Sequence, residues 1–264
     1  MGPYWAIVSA RFRMNLQYRG AAFGGIVTQL FWGLIRVMIF TAFYASTTRP
    51  QPMTLPEVIT YIWLGQALLG ILPWFSDSPE VAAMIRSGTV AYELLRPADL
   101  YWFWFARVAG ARAGRLIMRA VPQFVLAGLF LGLQAPHSPA CAAAWFIAMM
   151  LAILLACAIA MVSTISTLWY IAGDGVWQLL PVLVMLCSGA VIPLPFFPDW
   201  AQRILDVLPF RGLMDLPFRL YMGHIPPAQA LPQLGLGCLW IVALVSFGRW
   251  LLSRGTGRLV VQGG

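Results

Sequence analysis

Residues 76–100 read SDSPEVAAMIRSGTVAYELLRPADL, and this stretch decides how the chain is laid out. It holds Asp77, Glu80, Arg86, Glu93, Arg96 and Asp99 between long runs with almost no charge. Such a segment is a polar island joining two membrane segments. Ser78 can cap orphan N–H groups, Pro79 suits the first helical position, and Glu80 complements the positive end of the helix dipole. A short helix is expected from there to Arg86. Gly88 tolerates the left-handed conformation that ends helices, and Arg96-Pro97 breaks the chain before the next one. Two readings stay open on these residues alone. One is a docking element, with both charge signs around apolar residues; the other is a solvated connector.

The composition of the whole chain excludes an ordinary soluble domain. Of 264 residues, 61% are hydrophobic and 10% charged, against about a quarter charged in ordinary globular domains. The net charge of +8 comes from arginine, because the chain has no lysine. A Walker-type phosphate loop and a Schiff-base lysine are both excluded on that ground. The arginines sit at the ends of apolar segments, which fits a membrane orientation signal and not a nucleic-acid surface. Cys141, Cys157, Cys187 and Cys238 lie in apolar runs without metal-ligand spacing and read as small hydrophobes. His137 and His224 stand apart in loops, so no metal site is expected.

Apolar runs of the length a bilayer needs, about 20 residues, divide the rest. Residues 1–19 are expected to form an interfacial helix, with Trp5, Val8, Phe12 and Leu16 on one face. From Arg11 to Arg19 polar and apolar residues also alternate as in a strand. Membrane spans are expected at 21–45, 58–75, 117–133, 140–168, 176–192 and 230–252. Thr54-Leu55-Pro56-Glu57 fits a capping box at the start of the second span. Arg36 lies inside the first span, where an arginine costs about 2.5–3.5 kcal/mol on insertion scales. It either pairs structurally or meets substrate. Arg112, Arg115 and Arg119 share one face of the third span and read as a head-group anchor or a ligand site. Residues 193–227 mix proline, aromatics and balanced charge. They are too broken to span and too apolar for a free loop, so a re-entrant helical hairpin is expected, with short helices near Asp199–Leu208 and Gly212–Tyr221.

Arginine counting sets the orientation. One side carries Arg11, Arg13, Arg19, Arg86, Arg96, Arg107, Arg112, Arg115, Arg119, Arg249, Arg254 and Arg258. The other carries Arg49, Arg203, Arg211 and Arg219. The heavier side is expected to be cytoplasmic, with both termini and the polar island. Every Asp and Glu lies in or near a loop, unlike the intramembrane acids of ion-driven transporters. No zinc motif, nucleophile elbow or paired carboxylates appear. Energy for any transport must then come from a partner.

The order of segments resembles the membrane subunit of an ABC-2 type exporter, the six-span permease family with an amphipathic helix before the first span. The resemblance rests on three passages: Ser78-Pro79-Glu80 through Ile85-Arg86-Ser87-Gly88 to Tyr92-Glu93-Leu94-Leu95-Arg96-Pro97; Ser188-Gly189 with Pro193, Pro198-Asp199-Trp200 and Leu208-Pro209-Phe210; and the ending Arg258-Leu259-Val260-Val261-Gln262-Gly263-Gly264. It implies an all-α polytopic membrane protein with six transmembrane helices, a cytosolic coupling helix at 76–100 and an extracytoplasmic re-entrant hairpin at 193–227. It also implies a bacterial cytoplasmic membrane, a separate ABC ATPase subunit that binds the ATP, and a second permease half, identical or related. Glu80, Arg86, Glu93 and Arg96 become the expected polar contacts of the ATPase interface, and Ile85, Tyr92 and Leu95 its apolar anchors. Phe196, Phe197 and Trp200 are candidates for an external gate. A membrane scaffold and a lipid-acting membrane enzyme remain the competing readings.

Overall fold

The computed structural model describes residues 2–17, 19–73, 79–95, 97–169 and 175–256. It is about 80% helical and has no strand among the described residues. Helix α1 (Pro3–Leu16) leads into α2 (Arg19–Ser46) and α3 (Leu55–Leu68), which a 3-10 turn extends to Ile71. Two short helices follow, α4 (Pro79–Arg86) and α5 (Ala91–Leu94). Then come α6 (Leu100–Phe130), α7 (Pro139–Ser166) and α8 (Gly175–Cys187). The hairpin contributes α9 (Asp199–Val207) and α10 (Asp215–Tyr221), and α11 (Leu231–Thr256) closes the described chain.

Among the described residues four helices are long and apolar enough to cross a membrane, within residues 22–46, 100–130, 139–166 and 231–256. The sequence expectation was six. The run at Leu55–Ile71 is apolar but shorter, and α8 has 13 residues with Pro181 inside it. After Cys187 the chain turns at Gly189, whose φ of +85° lies in the left-handed region. A Cβ there would meet the Tyr61 hydroxyl at 2.1 Å.

The helix expected as the third span also starts earlier than the pattern indicated. Residues 100–130 form one helix of 31 residues, about 46 Å long. The Asp99 side chain accepts the Trp102 N–H at 3.1 Å and fixes its start. Tyr101, Trp102, Phe103, Trp104 and Phe105 thus form the first turns of this helix. At α3 the capping box forms as expected, with Thr54 N–H donating to Glu57 Oε2 at 2.6 Å.

Helix α7 sits at the centre. Ala144, Ala148, Ala152, Ala156 and Ala160 recur at every fourth position and are all buried. Small residues at this spacing let helix backbones approach closely where lipid offers no hydrophobic drive. Helix α7 packs on α6, α10 and α11. Helix α1 lies along α6, where Gly110 and Gly114 receive it. A Cβ at Gly110 would reach the Val8 carbonyl oxygen at 2.5 Å, and one at Gly114 the Phe12 carbonyl oxygen at 3.0 Å. Residues 3–16 are helical, so the alternating pattern at Arg11–Arg19 did not produce a strand.

Candidate functional site

The polar island folds onto the bundle. Helix α4 ends at Gly88, whose φ is +72°, and the Val90 N–H reaches back to the Met84 carbonyl at 3.1 Å. This fold-back places Val81, Ile85 and Val90 in one apolar cluster with Tyr101, Trp104, Val108, Met161 and Ile165. Glu80 is held from two helices. Arg11 of α1 grips it through both terminal nitrogens, at 3.1 and 2.8 Å, and Arg107 of α6 reaches it at 3.2 Å. The bonds from Arg11 hold the Glu80 carboxyl below its ordinary range, against an opposing effect of partial burial, with Arg107 adding to the shift. Glu93 is only 7% exposed; it accepts from Trp104 Nε1 and from Arg107 Nη1 at 2.8 Å. Arg107 therefore bridges both carboxylates.

The seven expected interface residues separate into three groups. Glu80, Ile85 and Glu93 are turned toward the chain's own helices. Tyr92 and Leu95 point away from it, 73% and 81% exposed. The backbone of Arg86 closes α4, while its side chain and the whole of Arg96 lie outside the described residues. The docking reading named Ile85 as an apolar anchor and Glu93 as a polar contact, and both are buried within the chain. Their burial follows from contacts made far along the chain, with Trp104, Arg107 and α7, which local pattern does not reveal.

A second polar cluster lies at the opposite end of the bundle. Asp215 at the start of α10 is fully buried. It accepts from Arg211 Nε at 3.2 Å and from the Tyr61 hydroxyl at 3.2 Å, with Arg219 at 3.9 Å. Arg211 also pairs with Asp206 at 2.6 Å, and the Asp215 N–H donates to the Ser188 carbonyl at 3.1 Å. Beside it Arg36 of α2 donates to the Ala190 carbonyl. Arg36 is thus bonded within the chain, at the turn where α8 meets the hairpin. His224, which the sequence left alone in a loop, pairs with Glu57 at 2.8 Å. Of the gate candidates, Phe196 packs edge-on against Phe40, with centroids 5.7 Å apart. Phe197 is half-buried and Trp200 is exposed.

The arginine stripe of α6 divides in the same way. Arg112 is fully buried and donates to the Ile71 carbonyl, while Arg119 lies against Gly25 of α2.

Among the described residues, an all-helical architecture with four helices long and apolar enough to cross a membrane is that of a multi-pass membrane protein. A family model described as an ABC-2 family transporter protein matches residues 30–263, and the chain belongs to that family. It is a membrane protein of the ABC transporter class, and permeases of this family work with ABC ATPase partners in general. No curated protein and no solved structure matches the chain.

Proposed function

We propose that this chain is the permease subunit of an ABC exporter, forming half of the substrate pathway and driven by a separate ATPase subunit that binds the ATP. The observation that carries this reading is the double clamp on the α4–α5 segment. Glu80 and Glu93 tie it to α1 and α6 through Arg11 and Arg107, and Tyr92 and Leu95 are left outward. A partner that grips those two side chains pulls on α6 through a fixed lever. Six crossings follow if α3 and α8 complete the set, α3 with its 3-10 extension and α8 with the turn after it. A second permease half, identical or related, completes the pathway in a bacterial cytoplasmic membrane, with α1, α4 and α5 on the cytosolic side.

In this reading ATP draws two ATPase subunits together, and their motion moves the clamped segments. The membrane halves switch as rigid bodies between inward- and outward-facing states. Phe196, packed on Phe40, and Phe197 beside it in sequence close the outer side, with Trp200 at the rim. Tyr92 and Leu95 replace Ile85 and Glu93 as the residues a partner meets; Arg86 and Arg96 keep their place as polar contacts.

The test is affinity purification of the tagged chain from its native membrane. A stoichiometric ATPase is expected to come with it. Tyr92→Ala together with Leu95→Ala is expected to weaken that association at least tenfold, since exposed aromatic and apolar anchors carry most interface energy. Glu80→Gln is expected to keep the ATPase bound while lowering stimulated ATP hydrolysis. A chain that purifies alone in mild detergent with an ATP analogue present, or a double variant that binds as the parent does, would overturn the proposal.

A further inference from the structure

Helices α2, α6, α7, α8 and α11 contain no Asp or Glu, yet they carry several arginines. Most of these have partners. Arg36 meets the Ala190 carbonyl, Arg107 meets Glu80 and Glu93, Arg112 meets the Ile71 carbonyl, and Arg249 pairs with Asp99 at 3.0 Å. Arg115 is engaged as well. Arg19, Arg254 and Arg119 make no hydrogen bond and no ion pair among the described residues; Arg19 and Arg254 are exposed at helix ends, while Arg119 is part-buried in mid-helix. It lies seven residues beyond Arg112, or about 10 Å deeper along the helix. Arg112 itself meets the end of the α3 turn, so Arg119 sits within the depth of the bundle.

The site around Arg119 is shaped for it. A Cβ on Gly25 would come within 2.7 Å of Arg119 Cζ and 2.8 Å of Nε. The guanidinium therefore occupies the space a side chain at position 25 would fill. One turn further along both helices, Gln123 donates to Gln29 in a buried amide pair. These amides are neutral and cannot balance the charge. Arg119 itself is part-exposed, while Gln29 and Gln123 are buried behind it.

An arginine held within a bilayer without a counter-charge costs about 2.5–3.5 kcal/mol on insertion scales. A planar guanidinium is matched by a carboxylate or a phosphate oxygen pair. We propose that the α2–α6 seam at Gly25, Gln29, Arg119 and Gln123 receives the anionic head group, phosphate or carboxylate, of an amphiphile that this permease moves. The last part rests on the permease reading; the binding part does not.

The test uses the purified full chain in phosphatidylcholine nanodiscs. It is titrated with short-chain phosphatidylglycerol and, separately, with inorganic phosphate, and bound ligand is counted by native mass spectrometry. Phosphatidylglycerol is expected to bind, and Arg119→Gln to weaken it about tenfold, the loss of one charge-assisted bond. Gly25→Leu is expected to weaken it similarly while leaving the charge in place, which covers the case of an Arg119→Gln chain that does not fold. Arg13→Gln, on the exposed face of α1, should change nothing. If Arg119→Gln and Gly25→Leu both bind as the parent does, the site is wrong. Equal affinity for inorganic phosphate would overturn the amphiphile and leave a small-anion site. No ATPase is needed here. A chain that passes this test but recruits no ATPase refutes the permease reading alone, and one that recruits the ATPase but fails here refutes only the seam.

Discussion

Asp215 shows how much a single side chain can carry in this protein. It is fully buried and shared among Arg211, Arg219 and Tyr61. Removing one member of a buried ion pair leaves the other without compensation, at a cost of about 3–5 kcal/mol. Asp206, the other partner of Arg211, has a side chain more than half exposed, where ion pairs are worth about 1 kcal/mol or less. Asp215→Ala is therefore expected to lower the thermal midpoint of the detergent-solubilised chain sharply, and Asp206→Ala to lower it little. Equal shifts in the two variants would show that the cluster is not the anchor of the hairpin. The sequence marked Asp215 only as one charge among several in a broken segment. Its role depends on Tyr61, 154 residues away, and no local spacing encodes that distance.

At the scale of elements, the apolar helices were readable and their partners were not. Length and charge-free composition placed α2, α7 and α11 within a few residues of where they lie, and Thr54-x-x-Glu57 placed the start of α3. The start of α6 was misplaced because its first turns are aromatic and basic, which resembles an interface more than a span. Gly88 ended α4 as glycine chemistry requires. The spacing Gly110-x-x-x-Gly114 was present in the sequence, and it is the signal that could have paired α1 with α6. There the backbone of α1 comes so close that any side chain collides, with Val8 Cα 2.9 Å from a Cβ at position 110. The blocking atoms are backbone, so they cannot rotate away. Gly110→Leu is expected to displace α1 and, with it, Arg11 from Glu80. Amide exchange across residues 3–16 should rise by an order of magnitude or more, since about 1.4 kcal/mol corresponds to each tenfold change in an opening equilibrium. Gly128→Leu, on the same helix with open space around it, should leave α1 protected. Unchanged exchange in Gly110→Leu would mean that α1 is held by its ion pairs and not by the glycine seam.

The molecule as a whole has two chemically distinct ends, each defined by its own set of contacts. At one end Tyr4 accepts the Asp99 N–H at 3.2 Å, Arg249 pairs with Asp99 at 3.0 Å, and α4 is clamped between α1 and α6. At the other, the Gln134 N–H donates to Thr60, the His137 N–H donates to the Tyr221 carbonyl, and His224 pairs with Glu57. Counted along the sequence, more arginines flank the apolar runs on the side of the first end than on that of the second. Positive residues flanking spans are retained in the cytosol, so the first end is expected to face inward. A cysteine-free version of the chain, with single cysteines introduced at Ser87 or at Arg49, tests this directly. Ser87 is exposed beside the clamped segment, and Arg49 is exposed in the loop between α2 and α3. A membrane-impermeant thiol reagent should label the Cys at position 49 in intact cells and the Cys at position 87 only after permeabilisation. The reverse pattern would put Tyr92 and Leu95 outside the cell, beyond the reach of any ATP-driven partner. The clamp of Glu80 and Glu93 would then be a structural brace alone, with nothing on its outer side to pull it.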